Sequence, residues 1–364
     1  MSLLLSRRLS RLRLGKPALL TLSNSFSTSL LVQTPPCSII GATPRGELTV
    51  HYFNEKDSTT LEKKVPVELV YNHLGNYATV TIGASHGWVA TLNKEDGIMR
   101  LHDDLNPNAS YVNPKRIPLP PLVTQPRCQT QIITNVSMSS PSPDDDEDCV
   151  VAVKFLGPQI SFCRPARSNC EWTNIRIENP CFFNSRVVYS ENMFRLLGSG
   201  GHLIGSWDLH AQVQTPMLQS LRFDNHNIPK LTEKRKLMDS CFTSEHLVNS
   251  QSTGETFLVK LYKRTILDAA AKLKTEASMV FKIDQEGNTF YKRDIGDLCI
   301  FLSQSEPFAV PGTSFPGGAT SSNCIEIWDA DEIATIMLAA SSHIISCRNE
   351  IETSAPYYIP PQIM

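Results

Sequence analysis

Aspartate and glutamate are absent from the first 46 residues, although basic side chains are plentiful there. Five of these lie among leucines and serines: Arg7, Arg8, Arg11, Arg13 and Lys16. An acid-poor leader rich in arginine and serine is typical of an organellar transit peptide, and the run Leu3–Leu5 is too short for the core of a secretory signal. The sequence predicts a transit peptide and disordered leader over 1–44 that targets mitochondria or, alternatively, chloroplasts. The other interpretation is a disordered basic tail with no targeting function.

Long apolar runs and an overall basic charge are also missing. No stretch approaches the ~20 apolar residues that cross a bilayer, so we expect no membrane span. Six of the 34 basic residues precede Glu47, which leaves 28 basic against 36 acidic side chains in the body. A net charge near −8 disfavours general nucleic-acid binding, which needs a basic field.

The ten cysteines show no CxxC motif and no Cys/His spacing typical of zinc. They stand at positions 37, 128, 149, 163, 170, 181, 241, 299, 324 and 347. Cys149, Cys299 and Cys324 lie in apolar runs, where a thiol behaves as a small hydrophobic group. We therefore expect core or incidental cysteines, with no metal site and no cofactor.

Short strands separated by turn residues fill the rest of the chain. The candidates are Leu48–Phe53, Ala78–Ile82, Trp88–Leu92, Ile98–His102, Cys149–Phe155, Ile160–Cys163, Trp172–Ile177, Arg186–Tyr189, Leu203–Trp207, Leu218–Phe223, Glu245–Val248, Thr256–Tyr262, Met279–Ile283, Thr289–Lys292 and Leu298–Leu302. The pattern predicts an all-β fold, a propeller-like arrangement of short antiparallel sheets over 45–317, with large sandwiches or barrels as alternatives. Two helices are also expected, Ile266–Lys274 and Asp329–Ala340, the second in a divergent, α-containing C-terminal segment (318–364) that closes or trails the propeller.

Many blocks at consistent spacing resemble a known family. They include GASHGWVATL (83–92), LHDDLNP (101–107), RIPLPPL (116–122), EDCVVAVKFLGPQISFCRP (147–165), EWTNIRIENPCFFNSRVVYS (171–190), GSGGHLIGSWDL (198–209), TGETFLVKLY (253–262) and DIGDLCIFLSQSEPFAVPGTSFPG (294–317). Together they resemble the plant "domain of unknown function 295" family, and in particular its organelle-targeted branch. The resemblance implies a kelch-like β-propeller without the F-box that other members carry, and it supplies no catalytic residues. The chain departs from the family pattern after Gly317.

Gly83-Ala84-Ser85-His86-Gly87 matches the G-x-S-x-G pattern of α/β-hydrolases. That motif requires a helix after the serine, whereas Trp88–Leu92 is predicted to be a strand. We interpret these glycines as turn formers. Gly198-Ser199-Gly200-Gly201 likewise precedes a predicted strand, which indicates a tight turn and not a phosphate loop.

Other polar and aromatic residues favour structural roles. Asp103 and Asp104 could bind a cation or act as an acid–base pair, but DDLNP is more typical of an Asx-capped turn. The single histidines at 86, 102, 202 and 210 are expected to be packed or hydrogen-bonded. Trp88, Trp172, Trp207 and Trp328 are expected in the core, with a ligand-stacking platform as the alternative.

Three functional hypotheses remain. The first is a non-enzymatic interaction module of an organelle with an unknown protein partner. The second is an organellar serine hydrolase or other small-molecule enzyme that uses Ser85 with His86. The third is an F-box-related adaptor, which needs a helical segment before residue 75. We commit to the first, with no catalytic, cofactor-binding or metal-binding residues assigned.

Overall fold

In the computed structural model, the described residues are 33–71, 78–126, 128, 132–209, 215–224, 232–267, 271–315, 322–339, 343–346 and 355–363. They form 26 strands, one α-helix and three 3₁₀ turns. The turns are Val67–Leu69, Pro180–Phe182 and Gly312–Ser314. Among these residues no helix is long and apolar enough to cross a membrane.

The strands of the first half are β1 (Cys37–Ala42), β2 (Glu47–Tyr52), β3 (Thr59–Lys64), β4 (Thr79–Ser85), β5 (Trp88–Asn93), β6 (Met99–His102), β7 (Arg116–Pro118), β8 (Ile133–Met138), β9 (Val151–Phe155), β10 (Gln159–Cys163), β11 (Thr173–Arg176), β12 (Val187–Ser190), β13 (Met193–Leu197), β14 (Leu203–Trp207) and β15 (Met217–Ser220). Those of the second half, with the helix, are β16 (Arg222–Asp224), α1 (Thr232–Asp239), β17 (Phe242–Ser250), β18 (Thr256–Leu267), β19 (Ala271–Ile283), β20 (Asn288–Lys292), β21 (Leu298–Ser303), β22 (Phe308–Pro311), β23 (Cys324–Trp328), β24 (Ile333–Met337), β25 (His343–Ser346) and β26 (Tyr358–Ile359).

The strands form the blades of a propeller, which we number in chain order. Blades 1, 2 and 3 are the four-stranded antiparallel sheets β4–β7, β8–β11 and β12–β15. Blades 4 (β17–β20) and 5 (β21–β25) join through a short parallel pairing of β17 with β22, and β16 borders blade 4. Blade 6 pairs β26 from the end of the chain with β1–β3 from its beginning. The two ends of the chain thus share one blade.

Six apolar clusters lie between consecutive blades and close them into a ring. The clusters contain, in order from the interface of blades 1 and 2, Leu101 with Val153, Phe162 with Phe194, Leu247 with Ile204, Ile300 with Val259, Phe301 with Tyr358, and Leu48 with Ala84. The last cluster joins blade 6 to blade 1. Since every sheet buries both faces against its neighbours, the continuous Val/Ile/Leu runs of the inner strands are explained.

All fifteen predicted strands lie on observed strands, and the propeller-like all-β fold is confirmed. Leu218–Phe223 covers two of them, β15 and β16, which belong to different blades. Ten other strands, among them β13 and β22, were not predicted.

Both predicted helices are wrong. Ile266–Lys274 covers the end of β18 and the beginning of β19, where Ile266 pairs with Lys272. Residues 268–270, between the two strands, lie outside the described residues. Asp329–Ala340 contains β24, in which Ala334 and Ile336 are buried and their neighbours are partly exposed. This period of two belongs to a strand, and pairing with β23 overrides the helical propensity of an alanine-containing segment. The helix α1 was not predicted.

The folded body begins earlier than residue 45. Strand β1 falls within the range assigned to the leader, and Gln33 forms an isolated bridge with Ile363. At the other end, β26 of the 318–364 segment pairs with β1 and so completes blade 6. Residues 1–32 lie outside the described part, so the transit peptide stays a prediction.

Candidate functional site

Glu306 lies in the loop between β21 and β22 and reaches the inner strands of three other blades. Its carboxylate accepts hydrogen bonds from the Ser85 hydroxyl of blade 1 (2.6 Å), the Ser137 hydroxyl of blade 2 (2.9 Å) and the Tyr189 backbone N–H of blade 3 (2.5 Å). Its own backbone N–H donates to the carbonyl of Ala84 (2.8 Å). One side chain of blade 5 therefore holds the inner strands of blades 1, 2 and 3 together.

Arg186, just before β12, makes the reciprocal connection. Its guanidinium donates to the backbone carbonyls of Ser303 (2.9 Å) and Gln304 (2.8 Å) in blade 5. The Ser303 hydroxyl accepts from the backbone N–H of Tyr358 in β26 (3.2 Å). We call Ser85, Ser137, Arg186, Tyr189 and Glu306 the axial cluster.

The acid in the axial cluster has a perturbed pKa. Burial raises the pKa of Glu306 to about 7, against the opposing effect of its hydrogen-bond donors and of nearby Arg186. Burial also lowers the pKa of Arg186. Glu306 can therefore gain or lose a proton near neutral pH, which makes the axial cluster the most chemically distinctive group in the described part of the chain.

The Ser85 motif forms a hairpin. His86 (φ 52°) and Gly87 (φ 86°) occupy a two-residue turn between β4 and β5, both with positive φ as in a type I′ turn. The turn interpretation is confirmed. Ser85 is 3% exposed and accepts from the Met138 backbone N–H (3.1 Å), while the His86 ring contacts the Met138 carbonyl (3.2 Å). The described contacts do not pair Ser85 with His86.

The second glycine motif is also a turn, as expected. Gly200 (φ 86°) and Gly201 (φ 68°) link β13 to β14. The Gly200 N–H donates to Glu245 (3.0 Å), and its carbonyl accepts from Lys260 (2.8 Å), so side chains of blade 4 already bind the turn.

The DDLNP segment is an Asx-capped turn as expected, but its cap is Asn106, whose side-chain oxygen accepts from the Asn108 N–H (3.0 Å), while the two aspartates have other partners. The Asp103 carboxylate accepts from the backbone N–H of Lys115 (2.7 Å), although its carbonyl does close a turn with the N–H of Asn106 (3.0 Å). The fully buried Asp104 binds Arg116 through two bonds (2.8 and 3.0 Å). It also accepts from His102, whose other ring nitrogen contacts Thr91. The sequence missed the bonds to Lys115 and Arg116 because these partners lie twelve residues further along the chain, at the beginning of β7.

This group borders a polar cavity of about 180 Å³ between the Val67–Leu69 turn and blade 1, lined by Glu68, Thr91, Arg100, His102 and Arg116 among others. Burial raises the pKa of Asp104, but the hydrogen bonds from His102 and Arg116 outweigh it and hold the pKa at about 2. The Asp104 carboxylate thus stays charged, and its ion pair engages the guanidinium of Arg116.

The remaining candidates have structural positions. Trp88, Trp207 and Trp328 are buried and Trp172 is partly buried, all within the clusters between blades, so their core role is confirmed. The His202 ring packs edge-on against Phe223 (5.3 Å between centroids). His210 and Cys347 lie outside the described residues. Five cysteines are buried (Cys37, Cys149, Cys163, Cys299 and Cys324), and four are partly exposed (Cys128, Cys170, Cys181 and Cys241).

Sequence reasoning missed Glu306, Ser137 and Arg186. The only local signal was a single carboxylate between two apolar runs in SQSEPFAV (303–310), directly before a proline.

A sequence model of the KIB1-4 beta-propeller family matches residues 53–345. The chain belongs to this family. No protein with a curated description matches it significantly. The β-propeller part of the sequence resemblance is thereby confirmed, whereas the kelch-like relation, the kinship with F-box proteins and the organelle-targeted branch stay predictions.

Solved propellers show only distant likeness. The chain is 9% identical to the Neurospora crassa Pan2 WD40 domain, over 87% of this chain and 80% of that one (TM-score 0.35). It is 9% identical to Kluyveromyces lactis Hsv2, over 67% and 83% (TM-score 0.32). It is 8% identical to the WD40 domain of SCAP from fission yeast, over 69% of this chain and 60% of that one (TM-score 0.30), so the match spans three-fifths of the SCAP domain. At these scores the neighbours carry no argument about function.

Proposed function

We propose that this member of the KIB1-4 beta-propeller family is a non-enzymatic interaction protein of mitochondria that binds a protein partner through a projection of blade 4. A propeller is consistent with such a module, since it displays loops and hairpins around a rigid ring. The axial cluster then serves the scaffold, because its serine hydroxyls and backbone N–H groups already bind Glu306.

The observation that carries the proposal is the length of the β18–β19 hairpin. Neighbouring β17 begins at Phe242, opposite Lys263, and β20 pairs with β19 only from Val280 onward. In the described strand ladders, residues 264–267 and 271–274 are therefore register partners of each other and of no third strand, and we call them the finger. An isolated two-stranded ribbon is marginally stable, so a binding partner would stabilise it.

The finger has the composition of a binding surface. Leu267, near its tip, is 80% exposed, and Phe242 at its base is 67% exposed. The finger residues 264–267 and 271–274 contain three basic side chains and no acidic one, although the body as a whole is acidic. Arg264 pairs with Lys274 in register, which places two of these cations on one face, although Arg264 also forms an ion pair with Glu276 (2.7 Å). Such a surface suits a partner with acidic and apolar side chains.

Proximity labelling inside the organelle would test the finger. We expect Leu267→Glu with Lys274→Glu to lose the main neighbours of the wild type, because the apolar tip and a cation are both removed. The matched control is Val112→Glu with Lys94→Glu; Val112 is 95% exposed and Lys94 is exposed, both in blade 1. An unchanged set of neighbours in the finger variant would refute this surface.

The proposal of mitochondrial targeting depends on the basic, acid-poor N-terminal leader. Since β1 begins at Cys37 and Gln33 already pairs with Ile363, a deletion that tests this targeting should stop at residue 32. We expect this truncated protein to stay in the cytosol with an unchanged circular dichroism spectrum. Import of the truncated form into mitochondria or chloroplasts would contradict the proposal.

The enzyme and adaptor alternatives have direct tests. Labelling by a fluorophosphonate probe that disappears in Ser85→Ala would favour the hydrolase. Residues 33–71 form β1–β3 and a 3₁₀ turn, without an F-box-like helix among them. Co-purification with an F-box-binding ligase subunit would nevertheless favour the adaptor.

A further inference from the structure

Three sulfur-containing residues stand in one row across blade 5. Cys299 of β21 pairs with Cys324 of β23, and Cys324 pairs with Met337 of β24. Directly paired residues of adjacent strands lie on the same face of a sheet. The sulfur atoms of Cys299 and Cys324 are 3.0 Å apart.

A carboxylate stands beside the two thiols. Glu326 lies two residues after Cys324, hence on the same face of β23, with Oε1 3.9 Å from the Cys324 sulfur. The two sulfurs and a Glu326 oxygen lie within 4.8 Å of one another, the one such group of three or more potential ligands in the described part of the chain. Its other oxygen accepts from Thr335 (2.7 Å), which orients the carboxylate as outer partners orient metal ligands.

The surroundings are apolar on one side and open on the other. Cys299 and Cys324 are fully buried against Phe301, Trp328 and Tyr358, and Met337 packs on the same cluster. Glu326 is partly exposed, which gives an ion a path from solvent. Two thiols and a carboxylate in such a place match the ligand types of zinc.

We propose that Cys299, Cys324 and Glu326 bind one Zn²⁺ ion between blades 5 and 6. On binding, two S–H bonds break, two Zn–S bonds and one bond from zinc to the Glu326 carboxylate form, two protons leave to solvent, and a water retained by the ion fills the fourth position. Two thiolates and the Glu326 carboxylate carry three negative charges, of which a divalent ion neutralises two and a monovalent ion only one, so a divalent ion leaves the smaller net charge beside the apolar cluster. Zn–S bonds of ~2.3 Å in a tetrahedral site separate the sulfurs by ~3.8 Å, so the pair must open by less than ~1 Å.

Metal binding can be measured on the full chain, purified without chelator and equilibrated with Zn²⁺. We expect about one zinc per chain by elemental mass spectrometry, and an ultraviolet thiolate-to-metal charge-transfer band when Cd²⁺ replaces Zn²⁺. Cys299→Ser and Cys324→Ser should each weaken Zn²⁺ binding by about 100-fold or more, and Glu326→Gln by about tenfold. Cys37→Ser, equally buried but in blade 6, is the matched control and should bind as the wild type.

Differential alkylation keeps the test decisive if the serine variants fail to fold. In the wild type, Zn²⁺ should protect Cys299 and Cys324 from alkylation more than the other cysteines. The proposal is overturned if no cadmium band forms, if Zn²⁺ protects neither thiol, or if the two residues are recovered as a disulfide with the loss of two hydrogens.

Discussion

Glu306→Gln should change how the stability of the protein depends on pH. Glutamine has nearly the shape of glutamate and can still accept from Ser137 and Tyr189 through its one oxygen. It cannot ionise. The comparison therefore isolates the charge of Glu306 from its packing and from most of its hydrogen bonds.

The magnitude follows from the raised pKa. Glu306 ionises at about 7 in the folded protein and at its ordinary value of 4.5 when unfolded. Because the folded pKa is the higher one, its stabilising contribution is fully present below pH 4.5 and is lost as the pH rises through 7. At about 1.4 kcal/mol per pH unit the loss is at most about 3.5 kcal/mol, and less where solvent reaches the partly exposed residue.

Urea denaturation between pH 4.5 and pH 8 measures this loss. The free energy of unfolding of Glu306→Gln should rise relative to wild type across that interval, by about 2–3 kcal/mol in total. Glu95→Gln, at an exposed position, should follow the wild type at every pH. If the difference between Glu306→Gln and wild type does not depend on pH, the donors and Arg186 balance the cost of burial and our reasoning about the carboxyl is refuted.

Three further predictions concern stability in denaturant. Lys154→Met should lower the free energy of unfolding by about 3 kcal/mol or more, because the buried Lys154 amine donates to three backbone carbonyls. The control Lys94→Met, at an exposed position, should change it by no more than about 0.5 kcal/mol. Equal losses for the two variants would contradict this reasoning. Ile359→Ala in β26 should lower the free energy of unfolding by about 2–5 kcal/mol, and Ile363→Ala, at a position 63% exposed, by under about 0.5 kcal/mol. Equally small losses for both variants would contradict the closure of the ring by β26. Burial, with Arg186 and Lys263 nearby, lowers the pKa of His246 to about 3, so the stability that neutral His246 contributes should be lost as the pH falls below 6.5. His246→Phe should therefore lose less stability than the wild type on acidification. An unchanged dependence of stability on pH would contradict this reasoning.

The strands were predictable because their information is local. Alternating or continuous apolar runs between turn residues gave fifteen predicted segments that cover sixteen of the observed strands, and Gly87 marked its hairpin through the positive φ that the turn requires. The segment ILDAAAKLK was misread because alanine and lysine favour helix locally, whereas twelve pairings between β18 and β19, with one register shift after Tyr262, fix it as a hairpin.

The candidate site was not predictable, because its contacts are distant in sequence. Glu306 meets Ser85 over 221 residues and Ser137 over 169. Only closure of the ring brings these residues together, and no spacing rule records it. Cys299 and Cys324 are likewise 25 residues apart, so a search for CxxC spacing passed over a pair that strand register makes adjacent.

Cross-linking of β1 to β26 tests the closed ring most directly. Ser38 and Tyr358 are paired, and the bond from the Ile39 N–H to the Tyr357 carbonyl makes theirs the non-hydrogen-bonded pair. Its Cα separation of ~4.5 Å suits a disulfide. Oxidation of the Ser38→Cys, Tyr358→Cys double variant should therefore link the first and last peptides of the body in high yield, and Tyr358→Cys alone should not. Unlinked peptides from a folded double variant would contradict the shared sixth blade and the ring that depends on it.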